Sequence, residues 1–111
     1  MPKQSQNLPT YDLDTIKNLI RSKARTITIY AEQNIIEECL SKEMAYEIVL
    51  DLKPGQFRKT MKAEKMPGSG LFQDVYRYDS DEYDLYVKVQ IFDDRGIQKA
   101  RLIDMKAWGK A

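Results

Sequence analysis

This 111-residue sequence predicts an α+β domain, with helices first and strands afterwards. Three observations carry that prediction. Apolar residues recur at helical spacing between Leu13 and Leu52. Beyond Gly70 the period changes to two, and the three period-two runs are separated by the turn segments Asp79-Ser80-Asp81-Glu82 and Asp93-Asp94-Arg95-Gly96.

The elements follow in order. Residues 1–10 are polar, carry two prolines and read as a disordered tail, and residues 11–108 read as a single domain. Leu13, Ile16, Leu19 and Ile20 predict a helix from about Asp12 to Lys23, with Thr10 or Asp12 as its cap. Thr26 to Tyr30 alternates Thr and Ile and reads as a short strand or an extended lead-in. Ile35, Ile36, Cys39 and Leu40 form the apolar side of a second helix. Ser41 caps a third helix, with Met44, Ala45, Ile48, Val49 and Leu52 on one stripe, and Pro54-Gly55 stops it. Gln56 to Lys65 has no clear period, and Pro67-Gly68-Ser69-Gly70 is a loop by composition. Leu71 to Tyr78, Tyr83 to Phe92 and Ile97 to Lys106 are rich in aromatic and β-branched residues and predict two hairpins, hence a three-stranded antiparallel meander with the helices on one face.

Composition narrows the function. Eighteen basic against seventeen acidic side chains argue against a generic DNA-coating protein. The charges are segregated, however: Lys53, Arg58, Lys59, Lys62 and Lys65 lie close together with only Glu64 opposing them, while Asp79, Asp81, Glu82 and Asp84 share one turn. Such a pattern builds a local basic site on a neutral protein, or else consists of ordinary solvated charges. No apolar run approaches the roughly 20 residues of a membrane span, and no signal peptide is apparent. The lone Cys39 reads as a small core residue rather than a nucleophile, in keeping with a reducing, cytoplasmic setting. No histidine is present, and the acidic turn lacks the spacing and glycine of a calcium loop, so no metal site and no cofactor are expected.

The middle strand of the meander assigns the faces. Leu85, Val87, Val89 and Ile91 should meet the helices, leaving Tyr86, Lys88, Gln90 and Phe92 on the other side. With the basic segment beside it, that second side could receive single-stranded RNA through Tyr86 and Lys88, or be simply the amphipathic back of a sheet.

Four segments carry a resemblance to a known family: Phe57-Arg58-Lys59-Thr60-Met61, Leu71-Phe72-Gln73-Asp74-Val75-Tyr76-Arg77, Leu85-Tyr86-Val87-Lys88 and Ile103-Asp104-Met105-Lys106. In this order and spacing they resemble the MqsR toxins, bacterial type II toxin-antitoxin mRNA interferases of RelE-like fold. The similarity runs from about Leu8 to Lys106, and Gln73 to Arg77 is its most specific block. It implies a RelE-like domain, an endoribonuclease acting on mRNA, and a cognate antitoxin as partner. The family's cleavage residues fall on Lys59, Gln73, Tyr86 and Lys106, with all four side-chain types retained. Positions tied to substrate recognition fall on Arg58, Met61 and Arg77, where Arg58 replaces an expected aromatic residue; Lys88 joins them from the face assignment.

RNA cleavage without a metal needs a group to take the 2′-hydroxyl proton, stabilisation of the phosphorane, and a proton for the departing 5′-oxygen. Without histidine, these tasks fall to lysine, tyrosine, arginine and carboxylate side chains. A lysine pair can supply a base or acid together with a phosphate clamp. Gln73 can orient a phosphate or a base edge, Tyr86 can donate or stack, and Arg77 suits bidentate phosphate contact. Two other classes compete: an RNA-binding module that has lost cleavage, favoured by Arg58, and a protein-binding regulator, favoured by the near-neutral charge.

Overall fold

The computed structural model of the protein describes residues 8–62 and 71–110. Three helices, α1 (Leu13–Arg21), α2 (Ile29–Glu37) and α3 (Lys42–Leu50), alternate with and precede five strands: β1 (Arg25–Ile27), β2 (Phe57–Lys62), β3 (Phe72–Asp79), β4 (Asp84–Asp94) and β5 (Ile97–Ala107). The class is α+β. Each helix starts at a side-chain cap: Asp12, Thr28 and Ser41 accept from the backbone N–H of Thr15, Ala31 and Met44. Past α2, Cys39 takes a left-handed φ of 62°.

The sheet order is β1-β5-β4-β3-β2, with β1 parallel to β5 and the other pairs antiparallel. The expected three-stranded meander is therefore corrected to a five-stranded mixed sheet. β1 overlaps the segment read as a short strand or an extended lead-in, whereas β2 lacked a readable period. β2 reads Phe-Arg-Lys-Thr-Met-Lys and lies on the edge, where only one neighbour and little burial impose a pattern. β1 is three residues long, and its pairing to Ala100–Leu102 is set by tertiary contact. The Pro67–Gly70 loop lies outside the described residues.

The helices close one face. Ile16, Ile20, Ala31, Ile35, Ala45, Val49 and Leu52 form one buried cluster with Tyr76, Leu85, Val87, Val89, Leu102 and Met105. Two parts of the expected apolar stripes fail. Ile36 is 65% exposed and Met44 42% exposed, and Cys39 lies on the surface. For Cys39 the reason is geometric: α2 ends at Glu37, so Cys39 is beyond the helix, and its turn sends Leu40 inward in its place. Asp74, fully buried on the covered face, accepts the backbone N–H groups of Thr10 and Tyr11 at 3.0 and 2.9 Å and so straps the incoming chain to β3.

Candidate functional site

Strand register decides which side chains share the open face. Arg77 pairs with Tyr86, and Tyr86 with Lys106, which forms one cross-strand row. The adjacent row runs Lys59, Val75, Lys88 and Asp104 across all four antiparallel strands. A third row begins with the pair Met61 and Gln73, two residues along from Lys59 and Val75. Lys59, Met61, Gln73, Arg77, Tyr86, Lys88 and Lys106 thus lie on one surface.

Two bulges make this possible. On β5, Lys88 pairs with Asp104 but Val89 with Leu102, leaving Ile103 unmatched. Leu102 and Ala100 therefore point into the core while Asp104 and Lys106 point out; an unbroken strand would put Leu102 and Asp104 on the same side. On β2, Phe57 pairs with Tyr76 and Lys59 with Val75, leaving Arg58 unmatched. Phe57 packs edge-on against Tyr76 in the core (centroids 5.6 Å apart), and Lys59 is turned to the open face. Arg58 is thereby displaced from the rows: it is exposed, and its guanidinium donates to the Gly55 and Phe57 carbonyls at 3.3 and 3.1 Å.

The four expected cleavage residues do not all touch. Tyr86 and Lys106 are adjacent, with the Lys106 Nζ 5.3 Å from the ring centroid. Lys88 Nζ approaches the same ring at 5.7 Å. Gln73 is 8% exposed on β3, and Lys59 is exposed on β2. Three strand spacings of about 4.8 Å put the β2 and β5 backbones about 14 Å apart.

Around Tyr86 the surface is cross-braced by Arg77 together with Trp108, Asp104 and Asn34, the last three not among the expected site residues. Trp108, the sole tryptophan, packs on Tyr86 at 5.9 Å between ring centroids. Arg77 stacks over Trp108 at 4.8 Å and forks onto Asp84 through two bonds of 2.8 and 2.7 Å. That fork holds the Asp84 carboxyl below its usual range and raises the Arg77 guanidinium further. The Arg77 fork is thus committed within the protein rather than open to a phosphate. Asp104 ion-pairs with Lys106 at 3.2 Å and accepts from Asn34 of α2 at 2.7 Å. Burial, and then the Asp104 charge, push the Tyr86 phenol above its ordinary value, so the ring keeps its proton at neutral pH. Trp108 is singular in composition and Asp104 sits inside the motif that ends at Lys106, and those were the available signals.

Of Gln90 and Phe92, expected on the open face, Gln90 is fully buried and Phe92 is half-buried. The β3–β4 ladder ends at Asp74 and Val89; beyond it the Gln90 amide donates to the Phe72 carbonyl at 3.2 Å and accepts from Arg101 at 3.1 Å, while Arg101 lies 3.7 Å from the Phe92 ring. At this end Gln90 is closed off, while Phe92 and Arg101, like Tyr86, stay half-buried.

The protein-family model described as "Motility quorum-sensing regulator, toxin of MqsA" matches residues 8–107. The chain belongs to the MqsR toxin family. No curated protein matches it. As an MqsR-family member it is the toxin of a toxin-antitoxin system, with a cognate antitoxin as partner. The matched span takes in all five strands and every residue of the open-face rows. Among the described residues of this MqsR-family toxin, no helix is long and apolar enough to cross a membrane, and no three His, Cys, Asp or Glu side chains converge as metal ligands.

Proposed function

We propose that this MqsR-family toxin is a cytoplasmic, RelE-like endoribonuclease that cleaves mRNA without a metal ion and so arrests translation, with Lys59, Gln73, Tyr86 and Lys106 as its catalytic residues. The observation that carries the reading is the shared face: four residues from four separate strands fall on one surface, two of them only because a bulge turns their strand. In the reaction the 2′-oxygen attacks the adjacent phosphorus as its proton passes to a lysine amine. The 5′-oxygen departs with a proton, leaving a 2′,3′-cyclic phosphate and a 5′-hydroxyl. Tyr86, protonated at neutral pH, donates a hydrogen bond or the proton itself. Lys106 and Lys59 approach the phosphate from β5 and β2 and offset the charge of the phosphorane. Gln73 orients the phosphate or a base edge from between them. Lys88 and Met61 line the path of the strand, and Arg58 contacts the backbone or a guanine edge from the bulge. Arg77 acts through Trp108, holding the ring on which Tyr86 rests.

A labelled transcript incubated with the purified protein in EDTA tests this directly. Cleavage to cyclic-phosphate ends is expected. An intact transcript, or cleavage lost in EDTA and restored by Mg²⁺, contradicts it. Retention of the transcript without cutting would instead indicate the RNA-binding module.

A further inference from the structure

We propose that Asp104 and Asn34 form a positioning pair that fixes the Lys106 ammonium against the Tyr86 ring; the inference rests on the reading of Lys106 and Tyr86 as reacting groups. Asp104 is the acidic member of the open-face rows, and its side chain is only 14% exposed. A carboxylate there is costly unless every lone pair is used, because a buried charge needs partners and because it repels the phosphate of any RNA on the same face. Both oxygens have partners. Oδ1 accepts from Asn34 Nδ2 at 2.7 Å and from the Met105 backbone N–H at 2.9 Å, and Oδ2 faces Lys106 Nζ at 3.2 Å. With both oxygens occupied, Asp104 is poorly placed to take a proton from RNA and well placed to hold a cation.

Asn34 gives the arrangement its rigidity. It belongs to α2, which lies along the part of β5 that extends past β1. There Thr28 Oγ1 donates to the Ile103 carbonyl at 2.7 Å, and Glu38 accepts the Ala107 N–H at 3.2 Å. Helix side chains thus occupy the strand edge, and the Asn34 amide reaches round to the carboxylate on the open face. Without this hold, a lysine loses its rotamer freedom only when RNA arrives; with it, the ammonium is already placed, which is the physical content of preorganisation.

The first test is a double-mutant cycle on cleavage of a single-stranded RNA. Asp104→Asn and Asn34→Ala should each lower kcat about tenfold, the loss typical of a second-layer residue, with KM changed less than about twofold. In a Lys106→Ala background Asp104→Asn should cost nothing further. Losses that multiply, or faster cleavage and lower KM in Asp104→Asn, overturn the proposal, the latter because the carboxylate would then act only by repelling RNA.

The second test needs no activity, so it still decides if the protein proves not to cleave RNA. Tyr86 faces Lys88 on its own strand, Lys106 and Asp104 from β5, and Arg77 from β3, which is paired with Asp84 of β4. Ionised Tyr86, 5.9 Å from Trp108 between ring centroids, is expected to quench it, and the quenching step is assigned by its loss in Tyr86→Phe. Asp104→Asn, which leaves the cations without their counter-charge, should move that step to lower pH, and Asn34→Ala should move it the same way by a smaller amount. A step unmoved in Asp104→Asn overturns the proposal.

Discussion

The two faces of the sheet are built from alternate residues of the same strands, and they hold together in different ways. On the covered face Tyr76, Val87 and Met105 are fully buried in one apolar cluster with the helices. On the open face their neighbours Arg77, Tyr86 and Lys106 are joined by a ring stack, a cation over a ring and ion pairs. The covered face draws its stability from removing apolar area from water. The open face contributes little stability, because partly exposed ion pairs are worth about 0–1 kcal/mol each, but it holds cations at fixed positions. One face therefore makes the fold, and the other is free to carry chemistry.

The sharpest break of this comparison is a charge on the covered face. Val87→Asp and Ile48→Asp should each abolish the cooperative melt followed by circular dichroism, since an unpaired buried carboxylate costs several kcal/mol, comparable with a total stability of about 5–15 kcal/mol. On the open face the outcome inverts. Lys59→Ala, Tyr86→Phe and Lys106→Ala should lower the cleavage rate on the order of a hundredfold or more, with stability within about 1 kcal/mol of the parent. If these variants lose activity only in step with a lowered melting temperature, the division between the faces fails.

A smaller effect sharpens the picture of the covered face itself. The Tyr76 hydroxyl is buried without a hydrogen-bond partner among the described residues, and burial pushes its ionisation up to about 12, the Asp74 and Asp12 charges adding to it. Tyr76→Phe should therefore stabilise the protein by about 1 kcal/mol at neutral pH. Because the folded-state value is raised, the stability linked to Tyr76 is complete below pH 10 and is lost as pH climbs from 10 towards 12. Tyr78, also pushed up to about 12 by burial and its bond to Asp51, acts in the same sense. Melts between these limits should show less alkaline loss in Tyr76→Phe than in the parent. The smallest effect concerns Arg58, which sits on a bulge outside the rows: Arg58→Tyr should leave the overall rate within a few-fold and shift the mapped cut sites, and identical maps would remove Arg58 from recognition.

Much of this was legible in the sequence. The period of two in β4 assigned Leu85, Val87 and Val89 to the core and Tyr86 and Lys88 to the open face, as observed. The four expected cleavage residues were set by family resemblance, and their common surface emerged only from register. A bulge leaves no mark in a pattern of apolar residues: Ala100, Leu102 and Met105 look out of phase until Ile103 is left unpaired, and Phe57 and Lys59 should share a face until Arg58 is. β1 was read only as a short strand or an extended lead-in, too short for its pairing to show, and β2 was missed because it is too little buried for periodicity to register. Exposure of Cys39 followed from where α2 ends, a boundary the apolar spacing extended too far.

The central claim is that RNA lies on the open face, and protection of lysines from acylation tests it most directly. The protein is labelled with and without a 2′-O-methyl oligonucleotide, which binds but lacks the 2′-hydroxyl needed for cleavage, and each lysine is quantified by mass spectrometry. Protection should be confined to Lys59, Lys88 and Lys106, while Lys23 and Lys42, exposed on the helical side, react as in the free protein. Protection of Lys23 or Lys42 with Lys59 and Lys106 unchanged would place the RNA on the other side of the molecule and contradict the account.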